Sequence, residues 1–577
     1  MPPSLISSSL VCCFDVGLGV FVFAPLVDSL RSHDRGIRID DQQTREAGET
    51  YAKQAQFRSS LGTFEELEEI NFVAMAMDAT DAELANVAAQ GAAREDFPPH
   101  PIAFSLIPFW ECSERRDSYP RASSRFRNRP LFTRPARQYP MHTLLAALVI
   151  SGATVIDGTG APPRIADVVI EGERIVCVGP TCARPKGAKV IDAKGKYVIP
   201  GLVDMHAHLL THPWNEKGEL EARWDRPAMK QMLCAFLRMG VTTIRDPGSE
   251  TGDAVMVRRL LREGKIKGPR LFTAGRILNA SNFNPEPFVT VRTEEQVRDE
   301  VRWQAAAGVD VIKVYASMPP PLVKAAIDEA RKHGLPVIGH VQRTTWTEAA
   351  RLGISGLEHA APWSIEYVRE ADRAAAPDSL FGRVYWLEHL DENAIDEMIA
   401  ELAKHKVVVD PTLMAMHTKF WGDDPRYTNS PDNDLAPERI RKGWPAGRFT
   451  NGWTAEQYAA SRKAWPRLLK LTKQMHDAGV MLVAGTDTPT PWIVPGASLH
   501  DELKLLNDAG IQPLDVITIA TSNAARALKQ EQQFGAVEQG LQADLVILDK
   551  NPLQDIANTR SIAMVIQRGL TISPSCP

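Results

Sequence analysis

The sequence predicts an α/β protein in which a TIM-like (β/α)8 barrel is joined to a small β-sandwich domain. Short apolar, β-prone segments alternate with helical stretches through residues 201–529, a pattern typical of a parallel barrel. Further β-branched segments closed by turns flank this region at 148–200 and 530–570. We therefore expect one composite β-sandwich domain, built from the two segments that flank the barrel.

The first 140 residues differ in composition from the rest of the chain. They contain fourteen arginines but a single lysine, Lys53, and residues 112–140 are dominated by Arg, Ser and Pro. Such a stretch buries too little apolar surface to offset the entropy lost on ordering, so we expect an N-terminal extension that is largely disordered. A targeting role stays open, because segment 10–27 is apolar although Asp15 interrupts it and no Lys or Arg precedes it.

Charge and cysteine content restrict the class of protein. The formal net charge of -5 gives no reason to expect nucleic acid or an anionic membrane as a partner. A small-molecule substrate is expected instead, and a homo-oligomer is left open. Seven cysteines, an odd number without metal-type spacing, argue against a disulfide framework and favour a cytoplasmic location.

The flanking β segments are justified by their turns. Segments 148–158 and 167–175 are β-branched and are closed by Asp-Gly or Glu-Gly, and similar strands return at 543–549 and 563–569.

The barrel is predicted from eight strands. We place them at 198–208, 240–246, 269–275, 309–313, 336–340, 356–359, 406–410 and 481–487. Helices are expected between most of them, including 227–239, 293–307 and 321–333. Residues 414–457, after strand seven, are expected to form a long loop: either a lid over the catalytic face or a solvated insertion anchored by tryptophans.

Potential metal ligands lie at or near the carboxyl ends of five of these strands. His206 and His208 are two residues apart, so on a strand both imidazoles point to the same side. The other candidates are Lys313, His340, His359 and Asp487, on strands four, five, six and eight. Each alone has a simple structural explanation, such as a core histidine, an extended lysine or a turn aspartate. The carboxyl ends of barrel strands converge, however, so together the six predict one metal site.

These motifs resemble the amidohydrolase superfamily, in particular its imidazolonepropionase-related and Xaa-Pro dipeptidase-like branch. Besides the six residues, the resemblance rests on Pro200-Gly201 before the histidine pair and on segments 499–503, 520–525 and 540–546. It covers residues 148–569.

The resemblance implies a site for two divalent metal ions, with zinc as the expected metal. His206, His208 and Asp487 would bind one ion, and His340 and His359 the other. Lys313 would be N6-carboxylated by CO2 and bridge both, since an unmodified lysine would repel them. Manganese, cobalt or iron also suit such ligands.

The activity implied is hydrolysis of a C–N bond in a dipeptide, an N-acyl amino acid or a cyclic amide. A hydroxide bridging the metals would attack the carbonyl, and Asp487 would transfer its proton to the departing amine. A Ser-Gly-Gly stretch expected after the lysine in the dipeptidase-like members is replaced by Ala316-Ser317-Met318, which weakens the dipeptide assignment.

Two alternative functions account for the same residues. The two-metal site could hydrolyse a phosphotriester, ester or lactone. A non-catalytic scaffold of this fold would be expected to have lost ligands, and none is lost here.

Candidates for substrate binding are Arg245, at the end of strand two, and Tyr315, just after Lys313. Arg245 could instead pair with a neighbouring carboxylate, and Tyr315 could belong to the core. We expect His212 and His500, which are near the motifs, to be structural.

Overall fold

The computed structural model describes residues 147–210, 216–217, 226–282, 287–377, 379–447 and 449–573. The expectations for the extension at 1–140 and for His212 lie outside these residues.

Strands begin directly after the described chain starts. In chain order they are β1 Leu148–Val155, β2 Arg164–Glu171, β3 Arg174–Gly179, β4 Lys189–Asp192, β5 Tyr197–Pro200, β6 Leu202–Asp204, β7 Val241–Asp246, β8 Arg270–Thr273, β9 Ile277–Asn279, β10 Phe288–Thr290, β11 Ile312–Val314, β12 Val337–Gly339, β13 Gly356–Glu358, β14 Val408–Asp410, β15 Leu545–Leu548, β16 Ile562–Gln567 and β17 Leu570–Thr571.

Helices occupy most of the connections between β6 and β15. They are α1 Arg226–Arg238, α2 Thr251–Arg262, α3 Glu294–Ala307, α4 Pro320–Lys332, α5 Trp346–Leu352, α6 Glu370–Arg373, α7 Gly382–Glu388, α8 Glu392–His405, α9 Leu413–Phe420, α10 Pro425–Thr428, α11 Glu438–Gly447, α12 Ala455–Asp477, α13 Ala497–Asp508, α14 Pro513–Thr518 and α15 Ala524–Ala527.

Strands from both ends of the described chain form one sheet. Its order is β17-β16-β15-β5-β1-β2-β3, with β4 also paired to β1. The β2–β3 hairpin turns at Gly172, where φ is +59° and glycine is favoured. Hydrogen bonding thus joins these strands in a single sheet instead of the two sheets of a sandwich, because β5 pairs with β1 on one side and with β15 on the other.

The central strands are short and parallel, as expected. They form two sheets, β6-β7-β8 and β10-β9-β11-β12-β13-β14. Backbone contacts extend beyond both: Asp310 N donates to Thr273 O at 2.9 Å, at the end of β8. Parallel bridges link Val409 to Leu482 and Ala207 to Thr488. The eighth predicted strand, 481–487, is not a regular strand. It pairs with its neighbours through the bridge at Leu482 and through backbone hydrogen bonds such as Val483 N to Val409 O at 3.0 Å and Met205 N to Ala484 O at 2.8 Å.

Segment 414–457 is not the long loop that was expected. It contains α9, α10, a 3-10 turn at Pro431–Leu435 and α11, and leads into α12. Its apolar residues recur at helical spacing, and Ile440 and Trp444 of α11 are both buried. We call α9, α10 and α11 together the cover.

Two apolar cores meet at β15. Val546 and Leu548 belong to the large core of the helical region, whereas Leu545 and Ile547 belong to the core of the composite sheet. Alternate residues of a strand face opposite sides, so β15 packs against both.

Cys177 on β3 and Cys182 in the following loop form a disulfide. The argument against a disulfide framework did not anticipate this short-range pair. The loop folds back until the two Cα atoms are 5.9 Å apart, within the usual range for a disulfide. In the part of the chain that the structure describes, no helix has the length and apolar character needed to cross a bilayer.

Candidate metal centre and its cavity

The six predicted ligands lie where parallel strands end. His206 and His208 follow β6, and Lys313 is the middle residue of β11. His340 and His359 directly follow β12 and β13. Their strand positions bring these side chains to one cavity, which Asp487 also lines.

Asp204 fixes the two distant segments that carry the first group of ligands. Its carboxylate accepts hydrogen bonds from His206 N at 3.1 Å and from Thr486 N at 3.1 Å and Oγ1 at 2.8 Å. Burial raises the pKa of Asp204 to about 6, although these donors oppose the shift. The buried aspartate thereby holds the histidine pair beside Asp487.

His206, His208 and Asp487 form a compact set of donor atoms. Asp487 Oδ1 is 3.4 Å from Nε2 of each histidine, and all three ligand atoms lie within 4.8 Å of one another. Asp487 has φ +68°, a left-handed conformation that non-glycine residues rarely adopt. Such backbone strain is common at functional sites, where the surrounding structure enforces it.

His340 and His359 form the second group. Their ring centroids are 4.3 Å apart, and His359 is 5.1 Å from His206. His359 Nδ1 bonds to Thr412 Oγ1 at 2.8 Å. Burial is the main cause that lowers the pKa of both histidines well below the ordinary value, so both are neutral, the form that binds metal.

Lys313 is buried to 2% exposure and points into this group. Among the described residues its Nζ has no hydrogen-bond partner, and Glu358 Oε2 lies 3.8 Å away. Burial lowers the pKa of Lys313, with Arg245 adding to the shift and Glu358 opposing it. A buried amine without an acceptor is a costly arrangement, which a bound or covalent group would relieve.

Two buried carboxylates that the sequence analysis missed, Glu358 and Asp410, lie close to His206. Glu358 accepts a hydrogen bond from His206 Nδ1, and its other oxygen accepts one from Arg245 Nη2 at 2.8 Å. Although burial opposes charge here, Arg245, Lys313 and His206 hold the pKa of Glu358 well below its usual range. Asp410 lies beyond Arg245 Nη2, at 3.7 Å, and burial together with Glu358 raises its pKa well above the usual range.

Arg245 lies beneath the ligands and is not among the residues that line the cavity. Its Nε donates to Met205 O at 2.7 Å. This placement favours the alternative that Arg245 pairs with a neighbouring carboxylate. Glu358 precedes His359 by one residue. On a regular strand, neighbouring residues face opposite sides, so a pattern of ligands on the side of His359 does not include Glu358.

Tyr315 does line the cavity. Its ring meets those of His340 and Phe288 at centroid distances of 4.8 and 4.9 Å, and burial raises its pKa to about 12. The phenol is therefore neutral and can donate a hydrogen bond. His500, by contrast, is fully paired in the core, to Thr559 Oγ1 and Met239 O at 2.9 Å each.

The cavity above the ligands has a volume of about 600 Å³. Its walls come from β9, β11, the loops after β12 and β13, α7 and the cover. Besides the ligands and Tyr315, residues that line it include Asn279, Phe288, Gln342, Trp363, Arg383, Met416, Lys419, Ile440, Trp444 and Phe449. Such a volume suits a small molecule with substantial apolar surface.

Arg383 and Lys419 are cations that the sequence analysis did not single out. Arg383 lies on α7, with its guanidinium 5.3 Å from the Trp363 ring centroid. Lys419 lies on α9, in the segment that was expected to form a long loop. No motif surrounds either residue, so only the packing of their helices reveals them.

The side chains present fit a pair of divalent ions. Four histidines and one aspartate are the nitrogen and oxygen ligands that zinc and similar metals accept. The buried amine of Lys313 has no hydrogen-bond partner among the described residues, and Asp487 lies close to both His206 and His208. Both observations are consistent with side chains arranged to bind ions. His206 also has the carboxylate partner that orients many metal-binding histidines.

Comparisons with known proteins identify relatives of this chain. The chain is 24% identical over 470 residues to the ochratoxinase of Aspergillus niger, which covers 71% of this chain and 82% of that protein. It is 46% identical over 72 residues to an N-acyl-D-aspartate deacylase of Alcaligenes xylosoxydans xylosoxydans, which covers 12% of this chain and 14% of that protein.

Solved structures share the fold. A Xaa-Pro dipeptidase with bound methionine matches with a TM-score of 0.56 at 20% identity, covering 74% of this chain and 100% of that one. The A. niger ochratoxinase structure matches with a TM-score of 0.53 at 21% identity, covering 74% and 97%. The sequence profile of the amidohydrolase family matches residues 197–572, more than half of the chain. The predicted superfamily is therefore confirmed, and this chain belongs to the amidohydrolase family.

Proposed function

We propose that this chain hydrolyses the C–N bond of a small amide, such as an N-acyl amino acid, a dipeptide or a cyclic amide, at a two-metal site. One observation carries the proposal: Asp487 Oδ1 lies 3.4 Å from both His206 and His208, beside neutral His340 and His359 and an orphaned Lys313 amine. The names of the relatives, a deacylase and a dipeptidase among them, support the same bond type.

The ligand assignment follows the two groups. His206, His208 and Asp487 would hold one ion, and His340 and His359 the other. Carboxylation of Lys313 would convert its amine into a carboxylate that bridges the two, and its lowered pKa favours this reaction because only the neutral amine attacks CO2. Zinc is the expected metal.

Bound divalent ions would polarise the scissile carbonyl and bring the pKa of water from about 15.7 to about 7. Asp487 would accept the proton of the attacking water and deliver it to the amine nitrogen as the C–N bond breaks. The products are a carboxylic acid and an amine. Tyr315 would donate a hydrogen bond to the substrate from the cavity wall.

We also propose that the parallel strands form a closed (β/α)8 barrel, with the composite sheet as a separate small domain. The bridges from Val409 to Leu482 and from Ala207 to Thr488 support closure, since they lie between β14 and β6. The hydrogen bond from Asp310 to Thr273 spans the remaining gap.

Amine release from dipeptides, N-acyl amino acids and cyclic amides by the metal-loaded protein tests the activity. We expect one class to be cleaved and Asp487→Asn to lower kcat by about 100-fold or more, as expected for loss of a general acid–base group. Metal content of the variant is measured alongside, because Asp487 is also a ligand. If all amides stay intact while esters, lactones or phosphotriesters are cleaved, the amide assignment is wrong.

A further inference from the structure

A second cavity, with a volume of about 440 Å³, borders α9. Met416 and Lys419 of this helix line the cavity at the metal centre, whereas Met414 and His417 line the second one. Residues two apart on a helix point about 200° away from each other, so α9 forms a wall between the two cavities. No described residue lines both of them.

The loop that follows Asp487 also borders both cavities. Pro489 and Thr490 line the cavity at the metal centre, and Trp492 and Val494 line the second one. The loop then leads into α13, which forms much of the remaining wall of the second cavity. The second cavity is thus separate from the metal centre but shares α9 and this loop with it.

Two of the cations that line the second cavity already have carboxylate partners. Lys504 donates to both oxygens of Asp508, at 2.7 and 2.8 Å. Arg426 lies 2.9 Å from Asp424, which is not among the lining residues. Neither cation therefore needs an anionic ligand.

The third cation, Arg560, faces two carboxylates. Its Nη1 donates to Asp432 Oδ2 at 2.8 Å and its Nη2 to Asp501 Oδ1 at 2.7 Å. One guanidinium balances one carboxylate charge, so these three residues carry one negative charge in excess. Among the described residues, no hydrogen-bond donor pairs with the other oxygen of either carboxylate.

Asp501 is the carboxylate that would gain most from a further cation. Burial raises its pKa and Asp432 adds to the shift, although Arg560 opposes it. A positive charge beside Asp501 would favour its ionised form.

The rest of the wall provides apolar surface for a ligand. Tyr427 and Trp492 are its aromatic members, and Met414 and Leu505 are aliphatic. The faces of tyrosine and tryptophan rings attract organic cations. A ligand with an ammonium group and an apolar group would meet complementary surface with both parts, whereas an anion would find the other cations already paired.

Trp492 is placed to respond to such a ligand. Its ring lies 5.5 Å from that of Trp444, which lines the cavity at the metal centre. Trp492 has φ +69°, and among the described residues its buried indole N–H has no hydrogen-bond partner. The ring is therefore held by packing, and moving it breaks no hydrogen bond of the indole.

Both shared elements also reach metal ligands. Thr412, which precedes α9, bonds through Oγ1 to His359 Nδ1 at 2.8 Å. The loop begins at Asp487 itself. A ligand that shifts α9 or the loop would therefore change the positions of His359 and Asp487, and metal binding would change the second cavity in return.

We propose that the second cavity is a regulatory site for a small organic ammonium ion. The ammonium group binds at Asp432 and Asp501, and the apolar part packs against Tyr427 and Trp492. This inference goes beyond the proposed hydrolysis and does not depend on it, since amine binding and metal binding are both measured without turnover.

Three compounds of similar shape test the site by calorimetry at pH 7: 2-phenylethylammonium, neutral 2-phenylethanol and anionic 3-phenylpropionate. We expect the metal-free protein to bind the ammonium ion about tenfold or more tightly than the other two, the value of one charged hydrogen bond. Asp501→Asn should remove most of this preference. Lys504→Met should strengthen binding of the ammonium ion, because it removes a like charge and frees Asp508; a gain of affinity cannot result from misfolding.

Asp328→Asn is the matched control. Asp328 pairs with Lys324 at 2.7 Å on α4 and lines neither cavity, so the variant should bind the three compounds as the wild type does. Equal binding of the three compounds by the wild type would overturn the proposed site. So would an unchanged affinity for the ammonium ion in either Asp501→Asn or Lys504→Met.

The regulatory role is tested by repeating the titration with metal-loaded protein. We expect the Kd of 2-phenylethylammonium to differ between the metal-free and metal-loaded forms by about fivefold or more, and this difference to disappear in Asp501→Asn. Equal Kd values would refute the coupling. A difference that persists in Asp501→Asn would place the amine at the metal centre and refute it as well.

Discussion

The hydrogen bond from His206 to Glu358 fixes the tautomer in which His206 can bind a metal. An imidazole that donates through Nδ1 to a carboxylate presents Nε2 with its lone pair towards the cavity, where it meets Asp487 at 3.4 Å. Arg245 in turn holds Glu358. The arginine and glutamate thus act through His206 and have a positioning role, with no contact to the substrate.

Replacing Glu358 by Gln should weaken metal binding. A glutamine has one acceptor oxygen and one NH2, so it can accept from His206 or from Arg245 but turns a donor towards the other. We expect metal affinity to fall by about 10- to 100-fold, as for other partners of metal-binding histidines. Titration with a competing chelator measures this directly.

Glu329→Gln provides the control for Glu358→Gln. Glu329 is also a buried carboxylate in an ion pair, with Lys332 at 2.7 Å, but it lies on α4 away from the cavity. Unchanged metal affinity in Glu358→Gln, or an equal decrease in both variants, would contradict the role given to Glu358.

At the residue scale, sequence analysis predicts the groups that carry a recognisable pattern. The histidines, Lys313 and Asp487 end β-prone segments, and a barrel brings such ends together. Lys419 and Arg383 reach the cavity from helices whose docking depends on tertiary packing. Their sequence neighbours contain no feature that indicates a site.

At the element scale, α9 begins without a cap of its own. Thr412 precedes it with φ +40° and makes no side-chain cap hydrogen bond. Glu502 from α13 accepts from Leu413 N at 2.9 Å and from Met414 N at 2.7 Å instead. The helix that carries Lys419 is therefore anchored at its amino end by a residue of another helix.

Replacing Glu502 by Ala should loosen α9. Two buried N–H groups lose their acceptor, each at a cost of about 1–3 kcal/mol. We expect a lower free energy of unfolding in urea and faster hydrogen exchange at amides 413–420, together with a higher KM. Exchange confined to other segments would contradict this anchoring role.

Glu502→Gln separates the charge from the hydrogen bonds. Burial raises the pKa of Glu502 to about 8 from its ordinary 4.5, although the two N–H donors oppose the shift. Between pH 4.5 and about pH 8 the folded state binds more protons at Glu502 than the unfolded state does. The free energy of unfolding therefore decreases as the pH rises through this range. The glutamine variant should show a shallower loss of stability from pH 5 to pH 8 in urea titrations, and an unchanged slope would refute the assignment.

Sequence analysis was less successful for elements whose structure depends on tertiary packing and not on a regular local pattern of apolar residues. Helices α1, α3 and α4 agree with the predicted 227–239, 293–307 and 321–333. The cover was expected as a loop because its helices are short and interrupted by proline and asparagine-rich turns. Strand eight was expected to be regular, yet its pairing is reduced to isolated bridges and single backbone hydrogen bonds, and Asp487 at its end has φ +68°.

At the scale of the whole molecule, strands from the two ends of the described chain pair in one sheet, and that sheet leads directly into the metal centre. β5 pairs with β15, and Pro200-Gly201 leads from β5 into β6 and its two histidines. Gly201 N donates to Asp544 O at 2.7 Å, and no side chain would fit at Gly201 because a Cβ would lie 2.2 Å from Thr242 Oγ1. Turns and alternation predicted strands at both ends, but the single sheet depends on pairings across more than 300 residues that no local pattern specifies.

This connection predicts that the composite sheet and the metal centre unfold together. Ile547→Ala removes a side chain that is 1% exposed in the core of the sheet, at a cost of about 2–5 kcal/mol. Because β15 packs against both cores, we expect release of metal to a chromogenic chelator and loss of tryptophan fluorescence to shift to the same lower urea concentration. Leu570→Ala, at a 50% exposed position on β17, should move neither transition. If Ile547→Ala separated the two transitions, with metal released at the wild-type urea concentration, the sheet would be an independent unit and the strand shared by both cores would not couple them.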